Sequence, residues 1–120
     1  MPRRIFLLLL LGVVAAASRA QTLTPPFDIK APAVIEQGRV IFNLRCAGRC
    51  HGIDGRDGFD APILAGKDYL DPPFILGTLL AGRPGSAMPS WKGRLTDEEL
   101  WRVVAFLSSL GDQARAAQSR

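Results

Sequence analysis

Histidine is almost missing from this chain. His51 is the only one among 120 residues, and Cys46 and Cys50 are the only cysteines. One imidazole cannot build a centre of several histidines around a metal. It also leaves no second imidazole to act as a base beside it. Two cysteines cannot supply the multi-bridge framework on which small secreted scaffolds depend. Large aromatics are sparse: two Trp, one Tyr and six Phe, of which Phe6 lies in the first apolar run. A small domain so composed has little with which to fill a core unaided. No segment alternates as a strand does over a useful length, no repeat is visible, and no second long hydrophobic run occurs.

The one apolar run, Ile5 to Ala17, follows Arg3 and Arg4 and ends at Ser18-Arg19-Ala20. Charge, apolar stretch and small residues in that order predict a secretion signal over 1–20. The run is short of the roughly 20 residues that span a bilayer, so an uncleaved anchor is the weaker reading. The mature chain is then expected to be exported to the periplasm without a membrane span. Removing Arg3, Arg4 and Arg19 from the formal +4 leaves 12 basic against 11 acidic side chains, a net +1. That balance does not describe a nucleic-acid surface.

Three helices are predicted beyond the signal. Residues 21–32 carry Pro25, Pro26 and Pro32 and read as an extended arm. A helix from Ala33 to about Arg45 places Val34, Ile35, Gly38, Ile41 and Phe42 on one stripe. Gly38 inside it costs about 1 kcal/mol relative to Ala, which suggests close approach of another element. The acidic residues Asp54, Asp57 and Asp60 lack the alternate spacing of a calcium loop and read as a solvated turn. Pro72-Pro73 opens a short helix to about Ala81. The last helix starts at Thr96 with Glu99 as its capping-box partner, and Gly111 reads as its stop. Residues 112–120 then read as a flexible tail.

The chemistry is concentrated in Cys46-Ala47-Gly48-Arg49-Cys50-His51. Two thiols followed at once by an imidazole is the arrangement that attaches haem. The thiols add across two vinyl groups and the His ligates the iron. The common form has two residues between the cysteines; here there are three. Gly48 is suited to absorb the resulting distortion. Three outcomes stay open: both thioethers form, which is favoured, Cys50 alone attaches, or maturation fails.

A sixth ligand has few sources. Met88 is the one methionine besides Met1, and it sits in Gly85-Ser86-Ala87-Met88-Pro89-Ser90-Trp91. A methionine in such an irregular segment is better explained as a ligand than as core filler. Lys67, Lys92 or an open position are the other choices. His/Met ligation raises the reduction potential and leaves no coordination position for substrate, which suits one-electron transfer and not an enzyme.

Together, Phe42 through Gly52, Ala87-Met88-Pro89, Leu95 through Trp101 and Val104-Ala105-Phe106-Leu107 resemble class I cytochrome c. The resemblance covers residues 33–111. It implies an all-α fold of three to five helices around one covalently bound haem c, with the first and last helices crossing where Gly38 meets Phe106. It also implies His51 and Met88 as iron ligands and a proline carbonyl that holds the His, for which Pro62 is the candidate. Leu64, Trp91 and Leu76 are expected to line the pocket, and Arg83 and Trp91 to reach a haem propionate. The partners implied are redox-protein donors and acceptors, with the chain a monomer. Two roles compete: a free shuttle, which is favoured, and an electron-accepting subunit of a dehydrogenase or oxidase. A cofactor-free domain with a Cys46–Cys50 disulfide explains neither His51 nor Met88, and a zinc site lacks a fourth ligand.

Overall fold

A computed structural model of the chain describes residues 24–58 and 60–120. The expected secretion signal over 1–20 lies outside the described residues. The architecture is all-α: α1 (Pro32–Phe42), a π-helical stretch (Asn43–His51), a short 3₁₀ turn (Ile53–Gly55), α2 (Pro72–Ala81) and α3 (Asp97–Gln118).

Each helix begins where local chemistry favours it. Pro32 stands in the first turn of α1, where its missing N–H costs nothing. Asp71 caps α2 by accepting a bond from the Phe74 N–H at 2.9 Å, just ahead of Pro72 and Pro73. At α3 the Glu99 N–H donates to Thr96 Oγ1 at 3.2 Å, and the Thr96 N–H donates to Glu99 Oε2 at 2.8 Å. This reciprocal pair is the capping box.

Helices α1 and α3 meet where Gly38 lies. A Cβ there would fall 1.8 Å from the Arg102 carbonyl oxygen and 3.0 Å from Phe106 Cβ. Only a residue without a side chain lets the two backbones approach this closely. Below the crossing, Phe42, Leu100, Val103 and Val104 are among the largest fully buried side chains, and the Phe42 and Phe106 rings stand 5.3 Å apart. Helix α2 adds Ile75, Leu76 and Leu79 to the same core.

Three expectations change. Helix α3 does not stop at Gly111 but continues to Gln118, so most of the supposed tail is helical. Gly111 is needed for closeness instead: a Cβ would sit 2.1 Å from the Leu70 carbonyl oxygen. The continued helix is tied down by Asp112, which pairs with Lys30 and with Arg115 (2.8 Å), and by Arg115, which donates to the Asp68 carbonyl. The described part of the arm is likewise anchored. Phe27 lies under the Arg102 guanidinium at 5.2 Å, and Ile29 packs on the core. Finally, the first α-helix ends at Phe42 and gives way to the wider π-helical stretch.

Candidate functional site

The extra residue between the cysteines is accommodated by that change of helix type. A π-helix holds one more residue per hydrogen-bonded turn than an α-helix, and single π turns commonly mark functional sites. The Gly52 N–H donates to the Ala47 carbonyl five residues back at 3.0 Å, the π-helical reach. Within the stretch Gly48 departs from helical geometry, at φ 16° and ψ −124°. Nothing lies within 4 Å of where its Cβ would be, so glycine is there for backbone freedom and not for space.

The thiols and the imidazole face one cavity of about 360 Å³. Cys46, Cys50 and His51 line it, together with Pro62, Leu64, Arg83, Met88 and Trp91 from distant parts of the chain. Its size falls within the range of ordinary ligand and cofactor pockets. Leu76 does not reach it; that side chain belongs to the buried core, because α2 presents Ile75, Thr78 and Leu79 to the cavity. Val103 and Leu107 of α3 and Tyr69 and Phe74 also contribute walls that sequence reasoning did not single out. α2 is apolar on every side, so its periodicity carried no signal for which face meets the cavity.

The His51 ring is fixed in orientation. Its Nδ1 lies 2.8 Å from the Pro62 carbonyl oxygen. A carbonyl can only accept, so Nδ1 carries the proton and Nε2 keeps its lone pair for a metal. Phe42 stands beside the ring, with centroids 6.1 Å apart.

Both cysteines are free thiols. Cys46 is half-buried, and desolvation pushes its thiol up to about 12, with the neighbouring Cys50 adding in the same direction. Such a thiol stays protonated at neutral pH, which does not favour a redox-active thiolate. The Trp91 indole N–H is buried without a hydrogen-bond partner. Trp91 also lines the mostly apolar cavity, and a buried donor without a partner calls for an acceptor. Haem c answers both features: its macrocycle is apolar and its propionates accept hydrogen bonds. Two free thiols followed by an imidazole match the means of its attachment.

Comparison with known proteins agrees. Residues 33–107 match the family described as "Cytochrome C oxidase, cbb3-type, subunit III". The chain belongs to this family of c-type cytochrome domains. It carries haem c bound covalently. Over 64 residues it is 36% identical to cytochrome c55X of Paracoccus denitrificans, an alignment covering 50% of this chain and 59% of that protein. It is 35% identical over 85 residues to the cbb3-type cytochrome c oxidase subunit FixPc of Rhizobium leguminosarum, covering 67% of this chain and 29% of the relative. It is 31% identical over 91 residues to the quinohemoprotein alcohol dehydrogenase ADH-IIG of Pseudomonas putida, covering 76% and 12%. The chain thus spans less than two thirds of each of these relatives. No solved structure gives a significant match.

Proposed function

We propose that this cytochrome is a periplasmic shuttle that carries single electrons between redox proteins, with its iron held by His51 and Met88. The observation that carries the reading is the cavity that gathers Cys46, Cys50, His51 and Met88 at one place. Haem c, when bound, supplies an iron that cycles between two oxidation states.

The chain's own residues serve that cycle by staying in place. Cys46 and Cys50 would hold the group through two thioethers, each formed when S–H adds across a vinyl double bond. The Pro62 carbonyl keeps the His51 Nδ1 protonated, so Nε2 is the atom that would ligate. Met88 would supply a neutral thioether that favours the ferrous state. The segment bearing it is held by bonds at its edges. The Arg83 N–H donates to the Met88 carbonyl at 3.1 Å, the Trp91 N–H to the Leu79 carbonyl at 2.8 Å, and the Met88 N–H to Ser86 Oγ at 3.2 Å. Trp91 would donate its unpartnered N–H to a propionate, with Arg83 near the same cavity as a countercharge.

The surface at the cavity supports a transient partner. Tyr69 and Phe74 line it and are 47% and 40% exposed, their rings edge-on at 5.3 Å. A small apolar patch with Arg45, Asp60 and Arg83 on the same lining suits brief redox encounters, which bury little area. Among the described residues no helix is long and apolar enough to cross a membrane. The relatives named as oxidase subunits favour the second reading, an electron-accepting subunit of a larger enzyme. Size-exclusion chromatography of the haem-loaded protein with a candidate oxidase separates the two. A shuttle exchanges electrons rapidly yet elutes alone, whereas a complex that survives high salt contradicts it.

A further inference from the structure

We infer that Asn43 and Asp54 are positioning residues for the iron-ligating histidine, acting through the loop that carries Pro62. The two residues are bonded twice through the Asn43 side chain. Asn43 Nδ2 donates to Asp54 Oδ1 at 2.8 Å, and the Asp54 N–H donates to Asn43 Oδ1 at 2.8 Å. Arg39 Nη1 reaches the same carboxylate oxygen at 3.2 Å, while its other nitrogens hold Glu36. The last turn of α1 and the start of the π-helical stretch therefore grip the loop directly after the haem motif.

The grip continues to His51 by backbone bonds. Asp54 precedes Gly55, whose carbonyl accepts from the N–H groups of Leu64 at 2.8 Å and Ala65 at 3.0 Å. Leu64 follows Pro62 by two residues, and the Pro62 carbonyl is the acceptor for His51 Nδ1. The Asp60 N–H closes the loop's other side by donating to the Arg49 carbonyl at 3.2 Å. Displacing Asp54 thus moves the acceptor that orients the imidazole.

Asp54 is held in an uncommon conformation. It is the only non-glycine with positive φ among the described residues, at 56°. Asp and Asn tolerate this left-handed region better than other side chains, yet residues held there persist only when their surroundings enforce it. The Asn43 pair and Arg39 are that enforcement. A carbonyl that accepts from the outer nitrogen of a ligating histidine raises its basicity. Loosening the acceptor weakens donation to iron, destabilises the ferric state and moves the potential upward.

The inference rests on His51 as a ligand, and one experiment separates the two. NMR of the reduced, haem-loaded protein reads the His51 ring, and spectroelectrochemistry reads the potential. A His51 ring unshifted by the haem ring current in the wild type overturns the ligand assignment, and this inference with it. With the ring shifted, Asn43→Ala is expected to speed exchange of the Nδ1 proton tenfold or more and to raise the potential. Asp54→Asn keeps an oxygen for the Asn43 amide and is expected to retain near-wild-type values. Should Asn43→Ala not fold, Arg39→Met, which removes the outer bond to Asp54 along with the exposed bonds to Glu36 and leaves the Asn43 pair intact, is expected to shift both readouts less and in the same direction. Nδ1 exchange and potential that stay at wild-type values in the folded variant overturn the inference. So does a melting temperature that falls while both hold.

Discussion

The chemistry at the residue scale depends on very few side chains, and each can be removed singly. Met88→Ala is expected to leave the haem covalently attached, lower the reduction potential and open the iron to added ligands such as imidazole. A titration that detects no new binding, with the potential unchanged, rules Met88 out as the ligand. Gly38→Ala places a Cβ 1.8 Å from the Arg102 carbonyl oxygen, a clash with backbone that no rotamer relieves. It is expected to cost about 1–3 kcal/mol, the range for overpacking a dense interior, read as a lower denaturant midpoint. These residues are legible in sequence for a physical reason. A lone His beside a Cys pair, a Met in a Gly/Ser/Pro segment and a glycine inside a helix each break a local rule. The roles of Asn43 and Asp54 are not legible in that way. An asparagine and an aspartate eleven positions apart meet only once the chain between them has folded, with its breaks from helical geometry at Gly48 and Gly52.

At the element scale, starts are easier to foresee than ends. The start of α3 is written in Thr96 and Glu99, whose side chains answer backbone groups one turn away. Its end is hidden because Gly111 serves a close contact with Leu70, so the sign that usually marks a stop has another cause. Thr96→Ala is expected to cost about 1 kcal/mol without altering the haem spectrum, as measured by chemical denaturation. The ties between elements are also pH-sensitive. Hydrogen bonding from Asn43, with help from Arg39, holds the Asp54 carboxyl below the usual carboxylate range. Lys30 and then Arg115 do the same for Asp112. A carboxyl lowered by folding stabilises the fold above its unfolded pKa, near 4, and that contribution is lost as pH falls through the lower folded value. Melting temperatures of the protein are therefore expected to fall in that acid window. In Asp112→Asn the fall is expected to be shallower; an unchanged slope contradicts the assignment.

For the molecule as a whole, the cavity and the composition give one account. Few large aromatics, a core interrupted by a pocket of about 360 Å³, and a buried indole donor without a partner describe a protein that completes its interior with a bound group. A covalently attached haem stays on the unfolded chain, so its contribution is the apolar burial and the Met88 contact that only the folded chain makes, and the apoprotein is expected to melt well below the loaded form. Which residues wall the cavity is the least legible part of the fold. Ile75, Leu79, Val103 and Leu107 look in sequence like any core residues, and only packing of α2 against α3 turns them toward the pocket. The central claim is covalent haem on a motif with three residues between its cysteines. It is tested most directly by a haem-stained denaturing gel of the exported protein, read beside its alkaline pyridine spectrum. A stained band with the spectrum of two thioethers is the predicted result; an unstained band from a host with working maturation machinery contradicts the account.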